Sequence, residues 1–139
     1  VAAGRSKLQG TNLLAEAEHG PELTVAPDGR PLFSEKLVVE PACRPVRQTG
    51  VMDSFDVFGN VLLLTPKAGA ERVLARIEAD VDPERGVACG ACALPNDAGV
   101  IFKALGRETA QVKALVREFW AVAREAATGT AIPPPFFWR

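Results

Sequence analysis

Cysteine is scarce in this sequence, with three in 139 residues. An odd number at that density does not make a secreted disulfide framework, and the residues that open the sequence from Val1 do not read as a charged-then-apolar leader. A reducing cytoplasm is therefore the expected compartment. Charge of one sign is also lacking, since 16 basic residues are balanced by 17 acidic ones. Phosphate backbones and anionic membranes demand a basic field, so neither nucleic acid nor a membrane is an expected partner. Long hydrophobic runs are missing as well: Val61 to Leu64 falls far short of the roughly 18 residues that span a bilayer. There is no Gly-x-Ser-x-Gly, no phosphate-binding glycine loop, no His-Glu-x-x-His and no dinucleotide fingerprint. No catalytic residue is assigned, and the expectation is a protein that is not an enzyme. The single histidine, His19, has no carboxylate or cysteine at ligand or triad spacing except Glu16 and Glu18, and a lone exposed histidine is the plainer reading.

What is present suits one ordinary domain over residues 1–139, burying roughly two-thirds of its unfolded surface. The apolar share of 47% and charged share of 24% are globular values. Two runs rich in Val, Leu and Phe flank Pro27-Asp28-Gly29, and Asp-Gly supplies the positive φ of a tight hairpin turn. Residues 1 to 21 are weakly patterned, with "NLLAEAE" (Asn12 to Glu18) the one helix-capable piece. Pro41 to Gly50 reads as a loop. Val51 to Pro66 reads as one long strand, or two, bent at Gly59-Asn60.

The period then changes. Ala70, Val73, Leu74 and Ile77 recur at helical spacing in a segment that Pro83 stops. "GVACGACALP" and "AGVIFKALG" have strand length and are joined by Pro95-Asn96-Asp97, which predicts a second hairpin. Val112, Leu115, Val116, Phe119, Ala123 and Ala126 form one stripe of a long helix, with Gly129 where a helix end favours glycine. The order β-β-β-α-β-β-α with short connections predicts an α+β fold, mainly β, in antiparallel strands with helices on one face or end.

Three constellations could carry chemistry or binding. Cys89-Gly90-Ala91-Cys92 has the spacing of a metal grip or a redox pair, and a small thiol redox or metal-binding protein using Cys89 and Cys92 is the alternative function. Four zinc ligands would need Cys43 and His19 as well, and residues three apart in a strand point to opposite faces. The plainer reading is two small strand residues. Asp53 and Asp56 flank Phe55, either as a two-carboxylate site or as the wet residues of an alternating strand. "IPPPFFWR" sets Phe136, Phe137 and Trp138 behind a stiff proline run, either folded back onto the domain or serving as an anchor for a partner.

"FDVFGNVLLLTP", then "LPNDAGVIFKALGRETAQVKALVREFWAVAR", then "PPPFFWR", in that order, resemble the C-terminal half of the urease accessory protein UreD (UreH) family. The likeness runs from about Gly29 to Arg139, and its most diagnostic pieces are Leu94-Pro95, the helix of Trp120 and the prolines before Trp138. The resemblance implies an elongated β-rich fold with helices near its C-terminus. It implies a cytoplasmic, non-catalytic maturation factor that binds apo-urease and, with UreF and the GTP-hydrolysing UreG, assists nickel insertion. It implies no tightly bound cofactor, with nickel at most in transit. Asp53, Asp56, Phe136, Phe137 and Trp138 are the candidate partner-binding residues, and no metal ligand is assigned. Family members carry a further β-rich region before the matched stretch, and without it an open sheet edge would be a sticky surface. They have small residues where Cys89 and Cys92 stand.

Overall fold

The computed structural model describes residues 17–25, 29, 31–39 and 46–132. They fall into two compact units, one ending at Asp53 and one beginning at Ser54. The single domain proposed for residues 1–139 is a separate statement about cooperative folding, which one unfolding transition shared by both units would establish.

The first unit holds an antiparallel hairpin of β1 (Ala17–Val25) and β2 (Pro31–Val39). Its turn contains Gly29 at φ 82°, the conformation that the Asp-Gly pair predicts. The first strand starts inside the helix-capable piece: Ala17 and Glu18 pair with Val39 and Val38. A ladder partner here overrides local helix preference, while residues 12–16 lie outside the described residues. After the hairpin, the amide of Val51 donates to the Gln48 carbonyl at 2.9 Å and that of Met52 to Val46 at 3.0 Å. Val51 to Ser54 is thus a turn and not the start of a strand.

The second unit contains β3 (Val57–Leu64), α1 (Lys67–Leu74), β4 (Asp80–Asp82), β5 (Val87–Ala93), β6 (Gly99–Gly106) and α2 (Thr109–Thr128). Its four strands form one antiparallel sheet in the order β3-β6-β5-β4, with both helices packed on one face. The fold is α+β and mainly β. As the turn residues predict, β5 and β6 are a hairpin, closed by a short 3-10 turn at Pro95–Asp97.

The core lies between helices and sheet. Val87, Val100, Phe102 and Ala104 face Val73 of α1 and Val112, Leu115, Phe119, Ala123 and Ala126 of α2. At its centre the rings of Phe102 and Phe119 stack with centroids 4.4 Å apart and planes 11° from parallel. The predicted stripe of α2 is the buried one, save that Val116 is only half-buried. A capping box starts this helix, with the Glu108 amide donating to Gln111 Oε1 at 2.9 Å. Gly129 ends it at φ 72°, its amide donating to the Glu125 carbonyl at 2.8 Å.

Two predicted elements differ. The β3–β6 ladder runs unbroken from Val57 opposite Gly106 to Leu64 opposite Gly99, so nothing bends at Gly59-Asn60. Gly59 serves a close approach instead: a Cβ there would sit 2.7 Å from Val112 Cγ1, and one at Gly106 would sit 2.8 Å from Val112 Cγ2. The two glycines form the notch into which α2 settles. The first helix stops at Leu74, well before Pro83, and Asp80–Asp82 becomes β4 by pairing with Val87–Cys89. Backbone groups offered by β5 outweigh three further residues of helix, and Ile77 reaches the core from the connection.

Candidate functional site

Side chains alternate across a strand, and here the alternation gives the sheet two different faces. Val57, Val61 and Leu63, with Cys89 and Ala91, join the buried set under the helices. The neighbours of each residue point the other way. The cross-strand register sorts them into rows: Phe58, Leu105, Ala88 and Val81; then Asn60, Lys103 and Gly90; then Leu62, Ile101 and Cys92. Two of these three rows are apolar. Phe58, Leu62, Ile101 and Leu105 are half-buried, while Leu64 is 52% and Val81 70% exposed. An antiparallel sheet with one wet face usually alternates apolar and polar residues, and these outer rows depart from that pattern.

The edges of the sheet differ too. At one side β4 is three residues long, and its carboxylates are engaged: Arg85 reaches Asp80 at 3.7 Å and Asp82 at 3.9 Å. The Arg85 amide also donates to Asp82 Oδ1 at 2.8 Å. At the other side β3 is eight residues long, VFGNVLLL, with no charge and no proline. Among the described residues it is laddered to β6 alone.

The predicted site residues are scattered relative to this surface. Asp53 sits in the turn before Ser54 at φ 45°, a left-handed conformation that aspartate tolerates. Asp56 immediately precedes β3, its amide donating to the Gly106 carbonyl at 3.0 Å. Both are exposed, but neither belongs to an alternating strand, because the ladder begins only at Val57. Phe136, Phe137 and Trp138 lie outside the described residues.

The cysteine pair does not converge. Cys89 packs against the core under the helices, whereas Cys92 is exposed on the outer face beside Ile101. Burial pushes the Cys89 thiol up from its ordinary value, and the Asp80 and Glu118 carboxylates add to that; a hydrogen bond with the Asp80 backbone and the Arg85 charge oppose it. A working redox or metal-binding thiol needs the opposite shift, so neither the placement of the two side chains nor the surroundings of Cys89 favours the alternative of a thiol protein. Among the described residues no group of three or more His, Cys, Asp or Glu could hold a metal ion. No helix among them is long and apolar enough to cross a membrane.

Against this geometry, the family model described as UreD urease accessory protein matches residues 1–139. The chain belongs to the UreD family. Curated UreD relatives agree: the urease accessory protein UreD of Yersinia enterocolitica is 52% identical over 113 residues, 81% of this chain and 35% of that protein. That of Photorhabdus laumondii is 50% identical over 112 residues, 81% of this chain and 35% of the relative. UreD 2 of Brucella suis biovar 1 is 50% identical over 111 residues, covering 80% and 37%. The chain spans about a third of the length of the curated relatives it matches.

The outer face of this UreD-family sheet is what sequence reasoning missed. Its signal was present in "VLLL" of β3 and "GVIF" of β6, where apolar residues follow one another without alternating. Near-continuous apolar runs are the pattern of strands with something apolar to meet on both faces.

Proposed function

We propose that this chain works in urease maturation as a non-catalytic binding protein in the cytoplasm. The observation that carries the reading is the match of the UreD family model across residues 1–139. In this reading UreF and apo-urease are its direct partners and UreG acts in the same assembly. Nickel is cargo on its way to urease and not a resident cofactor. The apolar outer rows of the sheet support a binding role, because a buried patch depleted of charge is what a protein partner desolvates with profit. The exposed Asp53 and Asp56 are the polar contacts we assign, and Phe136, Phe137 and Trp138 the aromatic anchors.

A pull-down of the chain against UreF and apo-urease, beside a nickel titration of the same sample, tests this. Capture of either protein with little nickel uptake is expected. A folded chain that captures neither overturns the reading, and stoichiometric nickel held without protein partners overturns the scaffold role. Removal of the last four residues should weaken capture and leave the melting temperature unchanged.

A further inference from the structure

We infer that the turn between β4 and β5 is a strap clasped to the start of α2 by Arg107 and Gln111, and that β4 and this turn detach together while β3, β6 and β5 stay formed. The inference stands apart from the urease reading and begins with three carbonyls of the turn. The Arg107 guanidinium donates to the Pro83 carbonyl at 2.9 Å. The Arg107 amide donates to the Gly86 carbonyl at 3.1 Å, and Gln111 Nε2 to the Arg85 carbonyl at 2.7 Å. One short segment, from the end of β6 to the first turn of α2, thus holds the turn at three points. Gly86 fits this arrangement: it has a φ of 67°, and a Cβ there would stand 2.6 Å from Arg107 Cδ. The arginine stem therefore lies directly against the glycine.

Gln111 has two roles at once. Its Oε1 accepts the Glu108 amide in the capping box at 2.9 Å, while its Nε2 holds the strap. A primary amide suits both because it carries an acceptor and a donor; glutamate would keep the first and lose the second. The strand on the strap is weakly held by its own ladder, since β4 pairs with β5 only from Asp80 to Asp82. The ion pairs of Arg85 with Asp80 and Asp82 are exposed on the arginine side and add little, because water screens them. Asp80, Val81, Pro83, Glu84 and Arg85 are exposed, so detachment uncovers little apolar surface, and the Phe102–Phe119 stack of the core is untouched. Segments with few buried contacts and exposed hydrogen bonds open at free energies below that of global unfolding. The clasp then sets how often β4 leaves, and with it how often the backbone of β5 at Val87–Cys89 is uncovered.

Hydrogen exchange of the full chain, read by mass spectrometry in peptides spanning 80–89, 108–114, 57–64 and 99–105, is the test. Gln111→Glu should speed exchange in 80–89 about three- to tenfold, the effect of one lost hydrogen bond, with 108–114 as protected as in the parent. Arg107→Ala should speed 80–89 by at least as much. Gln111→Glu changes a single side-chain group, so it keeps the test available should the Arg107 variant lose its circular-dichroism spectrum. Glu84→Ala trims an exposed side chain of the same turn that takes no part in these bonds, and it should exchange like the parent. In every variant 57–64 and 99–105 should keep parent rates. Parent-like exchange of 80–89 in either folded clasp variant, a Glu84→Ala chain as fast as they are, or 57–64 and 99–105 quickening in step with 80–89 would each overturn the inference.

Discussion

Replacing Gly59 by alanine puts a methyl group into space that α2 already fills. The new Cβ would lie 2.7 Å from Val112 Cγ1 and 3.3 Å from Val116 Cγ2. Both atoms are on branched side chains close to the helix backbone, so they cannot swing aside as a lysine tip would, and α2 must lift or tilt. Overpacking of this kind costs about 1–3 kcal/mol. Alanine also narrows the unfolded ensemble, which offsets about 0.4–1 kcal/mol. The expected net loss is about 0.5–2 kcal/mol, a drop of about 3–6 °C in melting temperature for each kcal/mol in a chain of this size.

A double-mutant cycle isolates the clash. Val112→Ala alone should cost about 2 kcal/mol through two lost methyl groups and the gap they leave. Adding Gly59→Ala to it should cost almost nothing further, because the new methyl occupies that gap. The coupling is then about 1–2 kcal/mol in favour of the double variant. Urea or thermal unfolding followed by far-UV circular dichroism measures all three. Gly90→Ala is the control, since its Cβ would meet only Ala79 Cβ at an ordinary 3.6 Å. If Gly59→Ala behaves like Gly90→Ala, or if the two substitutions simply add, α2 does not rest in a glycine notch.

Three further outcomes follow from the same structure. Phe119→Ala removes the ring stacked on Phe102 and should cost about 3–5 kcal/mol in chemical unfolding; a loss below about 1 kcal/mol would mean that α2 is not seated on the sheet as described. Gly129→Ala has open space around its Cβ but a φ of 72°, so the loss should be near 1 kcal/mol from backbone strain alone, with Gly129→Asn milder. The raised Cys89 thiol favours its neutral form in the folded state, so the associated stability is complete below its ordinary value of 9.0 and is lost as pH climbs past it. Peptide mapping after brief alkylation at about pH 8 should find Cys92 modified well ahead of Cys89; equal labelling would refute the placement of Cys89, half-buried against the core.

Much of the fold was legible because its causes are local. The stripe from Val112 to Ala126, the glycines at positions 29 and 129 and the Pro95-Asn96-Asp97 connection each place a residue type where the backbone needs it within a few positions. Family membership was readable because three blocks stand in a fixed order along the sequence. The separation of Cys89 from Cys92 followed from strand alternation as soon as β5 was recognised as a strand.

The candidate surface was less legible. Sequence alone showed apolar runs in β3 and β6 but not which rows they form, since a row exists only once Phe58 stands opposite Leu105 and Leu105 opposite Ala88. For the same reason the aspartates were misplaced: whether Asp56 lies within a strand depends on where β6 begins to pair.

By itself, then, the sequence determined the helices that bury a stripe, the hairpins that close on turn residues, and the family. Tertiary structure alone decided that β3 lies beside β6, that Asp80–Asp82 leaves a helical pattern for a strand edge, and that, among the described residues, both helices lie on one face of the sheet while apolar rows line the other. The placement of β3 rests on pairings between residues 35 to 49 positions apart, such as Leu64 with Gly99 and Val57 with Gly106, and no local pattern of side chains encodes the partner of a strand's backbone amide.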